Sequence, residues 1–219
     1  MKKLKLYLFV IACMLLSTYH AQAVLVSWTN NAGGNWSTGS NWSNGTGPGT
    51  NDTARIILNG TYTVTLDADP TIRHLIIGGN TGRQTLSITS HALTTTHGVL
   101  VNDKGIINAT ASTFIGNDAL VNNGKIEMSY STTFNIPLTN NDTIDINSYN
   151  NYINQNLICN LGSIIRLLGN HYTTNVTVAN GFTNNGTIQF NSILGYTCDL
   201  YVTNGQLINA GNGNIVSNS

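Results

Sequence analysis

The chain has 219 residues, and only 8% of them are charged, with nine basic side chains against nine acidic ones. Three of the lysines lie in a leader that we expect to be removed, so the mature chain has a net charge of 6 − 9 = −3. Because the remaining basic residues are few and form no patch in the sequence, we expect neither nucleic acid nor an anionic membrane surface as a partner.

Residues 1–23 have the features of a secretory signal peptide. A basic start precedes an apolar run from residue 6 to residue 16, and the small-residue cleavage site Ala21-Gln22-Ala23 follows. The apolar run is too short to cross a bilayer comfortably, and no second such run occurs. We therefore expect a mature chain that begins near Val24, has no transmembrane segment, and is secreted or displayed at the cell surface.

Residues 24–53 contain all three tryptophans, Trp28, Trp36 and Trp42, among Asn, Gly and Ser. Two interpretations fit them. They could cover the open N-terminal end of a solenoid, where strand edges and core would otherwise be exposed, or they could offer their ring faces to a sugar. The sequence favours the N-terminal cap and leaves the tryptophans as weak candidates for ligand binding.

From residue 54 the chain alternates between short β-forming segments and turns, without a helical period. Tyr62, Val64 and Leu66 alternate with threonines, which predicts a strand with one buried face. Asp67 and Asp69 follow in a turn before Pro70. They are weak candidates for a metal site, but Asp is also expected in such a turn because its side chain bonds to the backbone.

A seven-residue phrase then recurs six times, in the order apolar, any, Asn, any, any, any, Ile. Its apolar, Asn and Ile positions are Leu100/Asn102/Ile106, Leu120/Asn122/Ile126, Leu138/Asn140/Ile144, Ile158/Asn160/Ile164, Phe182/Asn184/Ile188 and Val202/Asn204/Ile208. The asparagines are 20, 18, 20, 24 and 20 residues apart. A repeat near 20 residues built from β-forming residues and turns predicts a stacked solenoid, the parallel β-helix, over residues 54–219.

The chemistry of the phrase supports this prediction. The apolar residue and the Asn are two positions apart, so they share the inward face of a strand. An Asn at one place in every coil can bond its amide to the copies above and below. We therefore expect a ladder of Asn102, Asn122, Asn140, Asn160, Asn184 and Asn204.

Several stretches resemble the start of large secreted bacterial proteins. They are Gly33-Gly34-Asn35-Trp36-Ser37, Ser40-Asn41-Trp42-Ser43, Pro48-Gly49-Thr50-Asn51-Asp52 and Gly60-Thr61-Tyr62-Thr63-Val64-Thr65-Leu66. Together with the repeated phrase they make the mature chain similar to autotransporter passengers and other adhesin-like β-helix proteins. The resemblance implies an all-β, right-handed, single-stranded parallel β-helix outside the cell, and it implies no substrate.

A β-helix can also carry an enzyme, as in the pectin-lyase-like polysaccharide lyases and glycosidases. Such enzymes need clustered carboxylates for calcium binding or acid–base chemistry. Asp67, Asp69, Asp103 and Asp118 in one groove beside a Lys or Arg would favour the enzyme, and scattered turn positions would favour a binding protein. His74, His91, His97 and His171 show no ligand spacing, and no cofactor is indicated.

Two cysteines remain in the mature chain, Cys159 and Cys198. The repeat puts them more than one coil apart and at different points around the coil, beyond the Cα separation of about 7 Å that a disulfide allows. We therefore expect two separate, mostly buried thiols.

The sequence thus predicts an adhesin-like or structural β-helix module without catalytic activity, and the alternative is a carbohydrate-active β-helix enzyme. Host or matrix glycans or proteins are the expected partners. The sequence stops within the repeat, with no recognisable anchor. We accordingly expect self-association through the C-terminal coil, or a longer protein of which this chain is the leading part.

Overall fold

A computed structural model describes residues 23–218, and the predicted signal segment lies outside these residues apart from Ala23. The chain forms three sheets in which every pairing between successive coils is parallel, and the order of the strands within each sheet follows the stacking of the coils. Sheet 1 contains β1 (Leu25–Ser27), β3 (Thr53–Ile56), β6 (His74–Ile77), β9 (Val99–Val101), β12 (Leu120–Asn122), β15 (Leu138–Asn140), β18 (Leu157–Cys159), β21 (Phe182–Asn184) and β24 (Leu207–Asn209). Sheet 2 contains β2 (Gly34–Asn35), β4 (Tyr62–Leu66), β7 (Gln84–Thr89), β10 (Gly105–Thr110), β13 (Lys125–Ser129), β16 (Thr143–Ile146), β19 (Ile164–Gly169), β22 (Thr187–Ser192) and β25 (Asn214–Asn218). Sheet 3 contains β5 (Thr71–Ile72), β8 (Ala92–Thr95), β11 (Thr113–Gly116), β14 (Thr133–Asn135), β17 (Asn151–Ile153), β20 (Thr174–Val178) and β23 (Cys198–Val202).

The predicted all-β parallel β-helix is confirmed, with about seven turns of about 21 residues each. The chain visits sheets 1, 2 and 3 in turn, which defines three corners. The first corner joins sheet 1 to sheet 2, the second joins sheet 2 to sheet 3, and the third leads back to sheet 1. One short 3-10 helix, Gly39–Asn41, lies in the N-terminal segment. Within the described residues, no helix is both long enough and apolar enough to cross a bilayer.

The strands form because alternate residues turn inward and stack on their equivalents in the next coil. In β4 the predicted inward residues Tyr62, Val64 and Leu66 are buried, and the threonines between them are exposed. Phe114 and Phe134 stack in the core with ring centroids 4.7 Å apart. The longest inward column contains branched side chains in register: Ile107, Ile126, Ile144, Ile165 and Ile188. Burial of these columns supplies the main driving force for stacking.

The Asn ladder is present at the end of the sheet 1 strands. Asn122 donates from Nδ2 to Oδ1 of Asn140 at 2.8 Å, and Asn140 donates to the carbonyl oxygens of Asp142 and Ile164, each at 3.1 Å. Asn184 donates to Oδ1 of Asn209 at 2.8 Å. These buried amides satisfy one another and the backbone of the first corner, which would otherwise hold unpaired polar groups.

The register differs from the predicted ladder at three of its asparagines. Cys159 occupies the ladder position between Asn140 and Asn184, so Asn160 lies one residue beyond it. Asn102 is displaced in the same way, because Val101 pairs with Asn122. In the last copy Asn209 holds the ladder position, and Asn204 is exposed in the preceding turn.

The physical reason for the shift is that the first corner has two lengths. From the ladder position to the inward Ile it spans Asn122 to Ile126 in one coil but Val101 to Ile107 in another. Both lengths are even, so the inward face is preserved. The displaced Asn160 joins a second, outer ladder, in which it donates to Asn141 at 2.6 Å and Asn141 donates to Asn123 at 2.7 Å.

Candidate functional site

The tryptophans close the N-terminal end of the stack. Trp28, Trp36 and Trp42 are only 2%, 5% and 2% exposed, and the ring of Trp42 packs edge-on against the other two at centroid distances of 5.0 and 4.7 Å. Their surroundings satisfy two of the indole N–H groups, since Trp28 donates to the carbonyl of Asn30 and Trp42 to that of Trp36. This burial supports the cap interpretation, because no indole face is available to a sugar at the surface.

The cap segment is also part of the solenoid. Its β1 pairs with β3 in sheet 1 and its β2 pairs with β4 in sheet 2, so residues 24–53 form an incomplete first coil. Asp67 fixes this coil from the second corner. Its carboxylate accepts from the backbone N–H of Ser37 at 2.9 Å and from the Ser37 hydroxyl at 2.6 Å.

Asp67 and Asp69 hold the chain rather than a metal in this structure. Asp69 accepts from the backbone N–H of Ala92 at 2.8 Å, and Nδ1 of His91 lies 2.9 Å from the same oxygen. Hydrogen bonds from Ala92 and His91 lower the pKa of Asp69. Burial alone would raise the pKa of Asp67, but its bonds from Ser37 outweigh that effect and lower it. Nowhere in residues 23–218 do three His, Cys, Asp or Glu side chains gather closely enough for a metal ion.

The four carboxylates singled out by the sequence do not share one groove. Asp67 and Asp69 are on the second corner, Asp118 is on the third, and Asp103 is on the first. The histidines are equally dispersed. His74, which begins β6, lies with Nδ1 2.7 Å from the carbonyl oxygen of His97, and His171 is on the second corner.

The predicted pair of separate thiols is confirmed, since Cys159 and Cys198 are both free. Cys159 is buried in the ladder column, where burial raises the pKa of its thiol to about 12. Cys198 is half-buried in β23. A thiol that stays protonated and inaccessible is a poor nucleophile, so Cys159 has a packing role.

Asp103 does, however, belong to a group of charged residues that the sequence analysis did not assemble. A groove of about 320 Å³ follows the first corner and the start of the sheet 2 strands. We call it the charged groove, and its charged lining residues are Arg83, Asp103, Lys125, Asp142 and Arg166. Gly105 and Gly124 form part of its lining, where the coils approach so closely that a Cβ on Gly124 would collide with the carbonyl oxygens of Asn102 and Gly105.

One wall of the charged groove is an ion network on the outer face of sheet 2. Asp145 is only 3% exposed, and Arg166 donates to both of its oxygens, from Nε at 2.8 Å and from Nη2 at 3.0 Å. Lys125 lies 3.0 Å from Asp145 and donates to Glu127 at 2.6 Å. The hydrogen bond from Arg166 to Asp145 raises the pKa of Arg166. Burial alone would lower the pKa of Lys125, but its two carboxylate partners raise it, so both cations stay charged at neutral pH.

The other wall is less compensated. Within residues 23–218, Arg83 lies within ion-pair distance of no carboxylate, and it is exposed. Asp103 pairs with the neighbouring Lys104 at 3.0 Å, and Asp142 accepts from the hydroxyl of Thr143 at 3.0 Å. The groove therefore offers a free guanidinium, two anchored cations and two exposed carboxylates along neighbouring coils.

The signal for this groove was present in the sequence as spacing. Arg83, Asp103, Lys125, Asp142 and Arg166 follow one another at intervals of 20, 22, 17 and 24 residues, close to the length of one coil. Charged residues one coil apart fall on the same side of a solenoid. Comparisons with protein-family models, with curated proteins and with solved structures find no match for this chain.

Proposed function

We propose that this protein is an extracellular, adhesin-like binding module that holds the acidic groups of a glycan in the charged groove and catalyses no reaction on it. The observation that carries the proposal is the concentration of charge in the charged groove of a chain that is only 8% charged. The leader sequence supports export, and the exposed strand surface of Asn, Thr and Ser supports contact with a hydrated ligand.

The ligand class follows from the cations. Arg83 is exposed and lies in ion-pair contact with no acid in the described part of the chain, so a carboxylate or sulfate can pair with it without displacing a protein partner. Lys125 and Arg166 are held in place by Glu127 and Asp145 and can add longer-range attraction. The exposed Asp103 and Asp142 can accept hydrogen bonds from sugar hydroxyl groups.

The geometry favours binding over catalysis. A glycosidase acid needs a carboxyl group whose surroundings keep it protonated, usually by burial. Asp103 and Asp142 are both exposed, and each already has a hydrogen-bonding or charged neighbour. A carbohydrate-active enzyme remains the second candidate, because these two carboxylates do share a groove with three cations.

A glycan and matrix-protein array probed with the mature chain tests the proposal. We expect binding to glycans that carry uronic acid or sulfate, weakened by salt because the contacts are exposed charges. Arg83→Ala should reduce that binding by about tenfold, the loss of one charge-assisted contact.

Arg55→Ala is the matched control, since Arg55 is a partly exposed base of β3 in sheet 1, away from the groove. Equal losses in the two variants would show that the binding is not in the charged groove. Binding to matrix proteins alone would overturn the glycan as the ligand.

A further inference from the structure

The second corner carries an exposed cluster of three tyrosines from successive coils, Tyr130, Tyr149 and Tyr172. Their ring centroids form a compact triangle with sides of 5.8, 5.6 and 6.3 Å, and each pair meets edge to face. The side chains are 36%, 42% and 46% exposed. We call this group the tyrosine cluster. Because each ring edge is turned toward a neighbouring ring, part of the ring faces is directed to solvent.

The backbone at this corner is unusual. The non-glycine residues with positive φ in the described chain all lie there: Ser90, Ala111, Tyr130, Ser131, Asn150 and Leu194. Tyr130 itself has φ of 48°, a conformation that glycine or asparagine adopts at lower cost than a bulky aromatic residue. Its ring therefore occupies the surface at the expense of local backbone energy, which is typical of residues that serve a site.

The surroundings of the tyrosine cluster are polar but uncharged. The corner segments 129–132, 147–150 and 169–173 contain no Asp, Glu, Lys or Arg. They provide hydroxyl and amide groups instead, among them Ser131, Asn150 and Thr173. The side chain of Asn175 accepts from the backbone N–H of Asn150 at 2.7 Å and fixes the turn that presents Tyr149. Rigid tyrosines beside adaptable Ser and Asn groups are also the composition of binding surfaces that need little ordering on contact.

We propose that the tyrosine cluster is a second binding site, which takes a neutral saccharide. One sugar ring would pack its C–H face on an exposed tyrosine face, and its hydroxyl groups would bond to the neighbouring amides and hydroxyls. The absence of charge at these corner segments favours an uncharged ligand over the acidic one expected in the charged groove. The site is on a different corner, so this inference does not depend on the function proposed for that groove.

Size favours a saccharide over a protein partner or a second copy of the chain. A stable protein interface covers about 800 Å² on each partner. Three partly exposed rings on a convex corner supply only a fraction of that area, but they match the face of one or two sugar rings. A tyrosine pair can therefore hold a short oligosaccharide where it could not hold a protein.

Neutral gluco-, manno- and galacto-oligosaccharides on an array, followed by calorimetric titration of any that bind, test this site on the mature chain. We expect at least one to bind and Tyr149→Ala and Tyr172→Ala each to weaken it by about tenfold, the loss of one stacked ring. Tyr149→Phe, which keeps the ring, should bind within about threefold of the parent. Tyr130→Asn should lose affinity while its melting temperature stays the same or rises, because Asn accepts positive φ.

Two controls separate this site from others. Tyr152→Ala removes a tyrosine of equal exposure, 36%, on β17 in sheet 3 and outside the cluster, and should leave binding unchanged. Arg83→Ala should also leave neutral saccharide binding unchanged, so the failure of one site is distinguishable from the failure of the other. The proposal is overturned if no neutral saccharide binds, if the cluster variants bind as the parent does, or if those variants instead abolish self-association of the chain.

Discussion

At the scale of single residues, the buried asparagines do the work of closing each coil. Asn140 accepts one hydrogen bond from the coil below and donates two to backbone carbonyl oxygens at the corner and in the coil above. Its side chain is fully buried, so none of these groups can turn to water if the amide is removed. The energetic importance of such a residue comes from the partners that it would leave unsatisfied.

Replacement of Asn140 with Leu should therefore lower the free energy of unfolding by roughly 1–3 kcal/mol. Asn204→Leu is the matched control, since Asn204 occupies the same place in the sequence phrase but is exposed in a turn. It should change the free energy by less than about 0.5 kcal/mol. Urea denaturation of both variants makes the comparison. Equal losses would mean that the stack follows the sequence phrase and not the register described above.

The sequence predicted the ladder but not its register, and adjacent apolar residues explain why. Leu100-Val101 and Ile106-Ile107 each offer two candidates for one inward position, as do Leu157-Ile158 and Ile164-Ile165. A pattern of period two cannot decide between neighbours of equal hydrophobicity. Hydrogen bonding between coils decides, because only one register brings Cys159 between Asn140 and Asn184.

At the scale of elements, the outer face of sheet 2 is held by the ion network around Asp145. Removing this buried carboxylate leaves Arg166 and Lys125 without their shared partner. Asp145→Ala should lower the free energy of unfolding by roughly 1–3 kcal/mol. Glu127→Ala breaks a pair whose side chains are about a third exposed, and should cost less than about 1 kcal/mol. Denaturation in low and high salt measures both. A larger loss for Glu127→Ala would contradict the assigned roles.

The attachment of the N-terminal cap should depend on pH. The pKa of Asp67 is lower in the folded protein than its ordinary value of 3.8, so the stability that it contributes is present above that value. That contribution is lost as the pH falls through the folded pKa, and the melting temperature should drop between about pH 5 and pH 2. Asp67→Asn should make the pH profile shallower, whereas Asp118→Asn, at an exposed position on the third corner, should not. Parallel profiles for all three proteins would rule out this link.

At the scale of the whole molecule, the repeat length was enough to predict the solenoid, since no other common fold uses parallel coils of about 20 residues. The two candidate sites needed three dimensions. The charged groove and the tyrosine cluster are each assembled from residues about one coil apart in the sequence, with other polar residues between them. Which of these share a corner depends on turn lengths that vary from coil to coil.

The coil formed by β23, β24 and β25 should make the polypeptide spanning residues 24–219 self-associate. Leu207 is half-buried there and Ile215 is 45% exposed, although both lie above inward-facing residues of the preceding coil. Sedimentation velocity should show association that rises with concentration and is reduced by Leu207→Lys with Ile215→Lys. Ile158→Lys, at a 50% exposed position outside that coil, is the control. A monomer at every concentration would exclude association through this coil.

The claim that this β-helix binds an acidic glycan without altering it can be tested most directly by following binding and cleavage in one sample. The mature chain is mixed with soluble polyuronates, and calorimetry is paired with assays for new reducing ends and for unsaturated uronates. We predict salt-sensitive binding that Arg83→Ala weakens, with the polymer length unchanged. Release of shortened products, lost in Asp142→Asn or Asp103→Asn, would contradict the account and identify the charged groove as an active site.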